Sequence, residues 1–246
     1  MWDQKEMPIT EHLRELRNRL LISIATVGAI AVVLFWPSQF VIRSMMGHYF
    51  GGLQLHAFGP ADVILTELKF SVVGGIVIGL PVLFTQLWLF VVPAVHPRTR
   101  RMVYSFVVPS VLLAAVGLAF AHFVVIPRVI AALLQITDSV ATPTFGIAST
   151  LNFVIVLLAL FAVIFQTPIV LIGLARLGIV SASTLMHYRR HAIFGFFIAG
   201  GLAAPDGNPV TMALLAVPMY ALYELSIWVI VPLEKRWSFD KARMTK

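Results

Sequence analysis

From Phe70 to Pro97 the chain reads FSVVGGIVIGLPVLFTQLWLFVVPAVHP, a run of 28 residues without Lys, Arg, Asp or Glu. An α-helix needs about 20 predominantly apolar residues to cross a hydrocarbon core about 30 Å thick. This run is long enough, and it is bounded by charge: Glu67 and Lys69 before it, Arg98, Arg100 and Arg101 after it. A soluble fold has no way to bury such a stretch and five more like it in a chain of 246 residues.

Working outward, uncharged apolar runs recur at Leu20–Trp36, Met102–Pro127, Leu151–Ala175 and His191–Ala204, and Val210–Pro232 carries only Glu224. The whole chain is 59% hydrophobic and 12% charged, with a mean hydropathy of +0.92. Soluble domains carry about 25% charged residues. The reading is an all-α membrane protein with six transmembrane helices in a single polytopic membrane domain, residues 1–246. A cytoplasmic amphipathic segment covers 1–19. Spans lie at about 20–36, 70–95, 102–127, 151–175, 191–204 and 210–232, and a cytoplasmic tail covers 233–246. Leu20–Trp36 could pass for a leader, but Pro37, Ser38, Gln39 and Phe40 follow it rather than a small-x-small cleavage site, so it reads as a retained first span.

Orientation follows from basic residues, which favour the cytoplasmic side. Fifteen of the 18 Lys and Arg fall in the N-terminal segment, the second-to-third and fourth-to-fifth connectors and the tail. Arg43, Lys69 and Arg128 fall on the other side. Both termini are therefore expected inside a cell (inner) membrane. The net charge of +7 could suggest nucleic acid in a soluble protein, but its placement between spans argues against that partner. The fifth span has fourteen residues, about 21 Å of helix, and the turn Pro205-Asp206-Gly207-Asn208-Pro209 after it predicts a shallow hairpin with a short fifth and sixth span.

There is no cysteine, no HExxH, no GxSxG and no Walker loop. The chain is expected not to be an enzyme and to bind no cofactor or metal. A small secondary transporter is the rival, but it should show paired midplane charges and an internal repeat. Only Glu224 is offered here, and no repeat is visible.

Near the N-terminus, HLRELRNRL, His12–Leu20, puts Leu13, Leu16 and Leu20 on one helical face and Glu11 and Glu15 off it. Two readings stay open. One is an interfacial helix with internal pairs such as Glu15 to Arg19. The other is a cytoplasmic carboxylate that receives an arginine-bearing peptide, because carboxylates take guanidinium through two parallel hydrogen bonds.

The segment HLRELRNRL resembles the amino-terminal signature of the TatC family. PVLFTQLWLFVVPAVHPRTRR (Pro81–Arg101) is similar to that family's second-span signature. FAHFVVIP (Phe120–Pro127), FQTP (Phe165–Pro168), APD (Ala204–Asp206) and AVPMYALYE (Ala216–Glu224) continue the order. The resemblance covers nearly the whole chain. It implies a glove-shaped, TatC-like six-span bundle with both termini inside. It implies recognition of twin-arginine signal peptides at the cytoplasmic face, assembly with TatA- and TatB-type single-span partners and with further copies of itself, and export of folded proteins driven by the proton-motive force.

Residue by residue, the resemblance assigns signal-peptide binding to Glu15, Leu16, Arg17, Phe90 and Pro93. Where the family places a second glutamate, this chain has Thr99, followed by Arg100 and Arg101. Recognition is therefore expected to lean on Glu15. The resemblance also assigns partner-helix contact to Gln166, Pro168 and Glu224. For Gln166 an internal helix–helix hydrogen bond is the open alternative. A carboxylate at mid-bilayer costs about 2.5–3.5 kcal/mol, so Glu224 must be protonated, paired or near an interface. Pro205 and Asp206 match a structural turn. Gly75 and Gly79, four apart, predict close helix packing.

Overall fold

The computed structural model describes residues 9–51, 55–91, 106–138, 145–203 and 209–244. They form α1 (Ile9–Phe35), α2 (Ser38–Phe50), β1 (Leu55–His56), α3 (Asp62–Val91), α4 (Val107–Phe120), a π-helical turn (Ala121–Val125), α5 (Ile126–Asp138), β2 (Phe145–Gly146), α6 (Ile147–Ile164), α7 (Thr167–Arg176), α8 (Ala182–His187), α9 (Arg189–Ala203) and α10 (Pro209–Met244). Among the described residues, five helical stretches are long and apolar enough to cross a membrane: Thr10–Phe35, Asp62–Phe90, Val107–Gln135, Ile147–Arg176 and Thr211–Trp237. α9, with 15 residues, is about 22 Å long and is not among them.

α1 runs antiparallel to α3, from His12 to Leu34 against Phe90 to Gly74. His12 meets Phe90, Arg19 meets Gln86, Val27 meets Gly75 and Gly79, and Leu34 meets Gly74. The glycines explain the fit: a β-carbon on Gly75 would come within 2.8 Å of the Val27 carbonyl oxygen. Small residues let two backbones approach where lipid supplies no hydrophobic drive for association. The opposite face of α1 carries Leu20, Leu21, Ile24, Val32 and Val33, all exposed. Trp36 and Phe40 beyond it, and Trp228 on α10, are exposed as well. In water such a belt would be an aggregation surface; in a bilayer it is the solvent-matched face.

The largest buried cluster joins Met45 and Tyr49 of α2, Val125 of the π turn, Val129 of α5, Phe161 of α6 and Leu215 of α10. The π turn answers a question posed by Pro127. That proline has no N–H to continue an α-helical ladder. The N–H of Ile126 instead reaches five residues back to the Ala121 carbonyl, and the helix passes Pro127 and runs on to Asp138. At the far end from the N-terminus, β1 pairs in parallel with β2, Leu55 beside Phe145 and His56 beside Gly146. α2 closes at Gly51, whose φ of +53° is the left-handed geometry that glycine tolerates.

Sequence reading placed span limits at charges and prolines, and the helices overrun both. α1 continues from Ile9 without a break, so the amphipathic segment and the first apolar run are one helix. α2 covers Gly47–Phe50, which read as loop. α3 starts at Asp62, where Asp62 Oδ2 accepts from the backbone N–H of Phe58 and Gly59 at 2.9 and 2.8 Å. Glu67, inside α3, is buried.

Candidate functional site

At the N-terminal end of α1, three side chains face α3. The His12 ring stacks on Phe90, 4.5 Å between centroids with the planes 16° apart. Arg19 Nη1 donates to Gln86 Oε1 at 3.2 Å. Arg19 Nε donates to Glu15 Oε1 at 3.0 Å, and Arg19 Nη2 donates to the same oxygen. The spacing dictates this: positions 12, 15 and 19 are three and four apart and share one helical face, as do 86 and 90 on α3. Leu16 and Arg17 are exposed on another face. There Arg17 lines an open groove with Thr10, Glu11, Leu13 and Arg14. Of the residues assigned to signal binding, the structure brings Glu15 and Phe90 to one site and turns Leu16 and Arg17 away from it. Pro93 and Thr99 lie outside the described residues.

Behind this site Trp88 is buried against Gly173 of α7, among Phe84, Leu89, Leu174 and Leu177. Its indole Nε1 has no hydrogen-bond partner among the described residues. On the same end, α8 is held by the last helix. The carboxylate of Glu234 accepts from the Ala182 N–H at 2.9 Å, and Ser181 caps the Thr184 N–H at 3.1 Å. Tyr223 donates to the Leu185 carbonyl at 2.8 Å. The Arg176 guanidinium lies 4.6 Å from the centre of the Trp237 ring.

Glu224 is paired. Arg189 Nη2 donates to its Oε2 at 2.9 Å and the Tyr220 hydroxyl to its Oε1 at 2.6 Å. Gln166 is fully buried at the junction of α6 and α7. Its Oε1 accepts from the Ser110 hydroxyl at 2.6 Å and its Nε2 donates to the Ser110 carbonyl at 3.2 Å. The amide therefore bonds within the chain and ties α6–α7 to α4. Pro168 sets this junction. It has no N–H for the Ile164 carbonyl, which accepts instead from the Thr167 hydroxyl at 2.6 Å. Pro205 and Asp206 lie outside the described residues.

At the opposite end, the Tyr49 hydroxyl meets His122 Nδ1, and His48 stacks on His122 with centroids 4.9 Å apart. Burial pushes the Tyr49 phenol above its ordinary pKa, so it stays protonated. Among the described residues no group of three or more His, Asp or Glu is placed to hold a metal ion.

The sequence motifs had singled out neither Gln86 nor Arg19 as a site residue, and Glu67 went unnoticed because its charge was read as a span boundary. The signal for Gln86 was available: it sits four residues before Phe90.

The family model for the Sec-independent protein translocase protein (TatC) matches residues 11–218. The chain belongs to the TatC family. It is 32% identical to the TatC protein of Aquifex aeolicus over 228 residues, covering 91% of this chain and 94% of that protein. It is 32% identical to TatC of Escherichia coli O6:H1, covering 90% of this chain and 87% of that protein. Two crystal structures described as the twin arginine translocase receptor TatC superpose with TM-scores of 0.75 and 0.78. They are 32% and 31% identical, covering 88% and 89% of this chain and 96% and 99% of theirs. Membership of the TatC family makes the chain a multi-pass membrane subunit of the twin-arginine protein translocase.

Proposed function

We propose that this TatC-family chain recognises twin-arginine signal peptides on the cytoplasmic side, at the site where the first turns of α1 meet the end of α3. One observation carries the reading: the Glu15 carboxylate lies on the α1 face that also carries His12, stacked on Phe90, and Arg19, bonded to Gln86, and it takes two donors from a guanidinium. Both donors converge there on one oxygen, Oε1, and an incoming guanidinium, whose planar fork can also span both oxygens, suits the carboxylate better than an ammonium. In this reading α9 is the short fifth span and pairs with α10, whose 36 residues make the sixth span long where a short one was expected, in a glove-shaped, six-span bundle. Both termini lie inside a cell membrane, as the distribution of basic residues favours.

TatA- and TatB-type single-span partners assemble on the bundle, and folded cargo is exported on the proton-motive force without covalent chemistry by this subunit. Gln166 and Glu224 serve that assembly by fixing α6–α7 against α4 and α9 against α10, with Pro168 setting the bend. The test is photo-crosslinking of a signal peptide bearing Arg-Arg, against the same peptide bearing Lys-Lys, to the full chain in detergent. Arg-Arg should be captured selectively and Glu15→Gln should lose that capture. Equal capture of both peptides refutes the reading.

A further inference from the structure

We infer that Arg19 acts as a resident competitor for the signal peptide: it occupies Glu15 in the free receptor, and signal binding is an exchange of one guanidinium for another. The inference rests on the recognition reading above and adds a specificity-setting residue to it.

Three observations carry it. Glu15 Oε1 accepts from both Nε and Nη2 of Arg19, which uses the acceptor capacity of that oxygen. The pair is not a loose surface contact, since the two side chains are only 19% and 22% exposed. Finally, the third guanidinium nitrogen, Nη1, is held by Gln86 of α3 at 3.2 Å. Most i,i+4 pairs on a helix have no such anchor on a second helix. Gln86 keeps the guanidinium at the site both when Arg19 is paired and when it is displaced. The freed arginine is not released to bulk, and the return reaction is short-range.

The exchange has a thermodynamic signature. If a ligand needs Glu15 free, its apparent affinity is the intrinsic affinity reduced by the fraction of molecules in which Glu15 is free. That factor is the same for every ligand that uses Glu15. Arg19 therefore leaves the ratio of Arg-Arg to Lys-Lys affinity untouched and weakens both by one common factor. Its effect on selectivity is a threshold: the weaker lysine ligands drop below the working concentration first. This matters more in a chain whose following loop offers Thr99 where its family has a second carboxylate, because Glu15 then carries recognition without that help.

Fluorescently labelled Arg-Arg and Lys-Lys signal peptides are titrated against the detergent-solubilised full chain and its Arg19→Gln, Arg19→Lys, Glu15→Gln and doubly substituted Glu15→Gln/Arg19→Gln forms. Arg19→Gln should tighten Arg-Arg binding by about two- to five-fold, the range set by a partly exposed ion pair. Lys-Lys binding should tighten by the same factor, and Arg19→Lys should give a smaller gain because an ammonium lacks the fork. The gain should vanish when Glu15 is already Gln, the test that separates exchange from a general loss of positive charge. Unchanged or weaker binding in Arg19→Gln overturns the exchange, as does a gain that persists without Glu15. Helicity and elution volume report whether Arg19→Gln folds; if it does not, unchanged affinity in Arg19→Lys overturns the inference on its own. A wild-type chain with no preference for Arg-Arg refutes the recognition reading instead, whatever the variants do.

Discussion

The indole ring of Trp88 on α3 fills the space that a β-carbon on Gly173 of α7 would need. The ring is buried and cannot swing clear, unlike the tip of a flexible side chain. Gly173→Ala should therefore overpack the contact and destabilise the chain by about 1–3 kcal/mol, seen as a lower thermal midpoint in detergent. Gly173→Ala combined with Trp88→Leu should recover part of the loss. A variant as stable as the parent would mean that α3 and α7 slide apart at little cost.

The Gln166–Ser110 bond predicts a coupled loss. Gln166→Leu strips two partners from Ser110, and Ser110→Ala strips one from Gln166. Interhelical hydrogen bonds in membrane proteins couple by about 0.6 kcal/mol on average and up to about 1.7 kcal/mol. The double variant should be less destabilised than the sum of the singles by that order, measured by unfolding in mixed micelles. Strict additivity would remove the pair as the tie between α7 and α4.

Removing one member of the Arg189–Glu224 pair should hurt more than removing both. Arg189→Ala leaves Glu224 with Tyr220 alone, and Glu224→Ala leaves Arg189 without its carboxylate. Each single variant should cost about 1–3 kcal/mol, the range for losing a partner to a partly buried polar group. Glu224→Gln should cost less than Glu224→Ala, because its amide oxygen still accepts from Tyr220. Thermal unfolding of these three variants and of the doubly substituted Arg189→Ala/Glu224→Ala form checks the order.

Topology can be read chemically, since the chain has no native cysteine. Single cysteines replacing Thr99, Ser183 or Ser238 should react with a membrane-impermeant maleimide only from the cytoplasmic side. Cysteines replacing Gln54 or Thr142 should react only from outside. One clear reversal breaks the six-span, both-termini-inside reading.

What could be read from the sequence was whatever depends on short-range pattern. Charge-free runs marked the membrane helices, and the four-residue spacing of Gly75 and Gly79 marked the face that receives α1. The same spacing allowed the Glu15–Arg19 pair to be named as one of two readings. Partners far apart in the chain were out of reach. Nothing local says that Glu224 meets Arg189, 35 residues away, or that Gln166 meets Ser110, 56 away. Span limits were set at charges and prolines, and the helices run past them. Glu67 shows that a helix continues through a charge when its neighbours bury it, and the π turn before Pro127 shows how a ladder passes a missing N–H. The candidate site was half legible. Glu15 and Phe90 carry a family signature, and helical periodicity already puts Leu16 off the Glu15 face, but only folding shows that the face with His12 and Arg19 is the one set against α3.

The hold of α10 on α8 also sets an order of manufacture. A ribosome delivers Ala182 fifty-two residues before the carboxylate of Glu234 that caps it, and Leu185 thirty-eight residues before Tyr223. Until the last helix is made and inserted, the Ala182 N–H at the start of α8 and the Leu185 carbonyl lack these partners, and Arg189 lacks Glu224. The half-made chain is thus chemically marked as unfinished, by one N–H, one carbonyl and one guanidinium without their partners. The mark disappears in a single step when α10 docks.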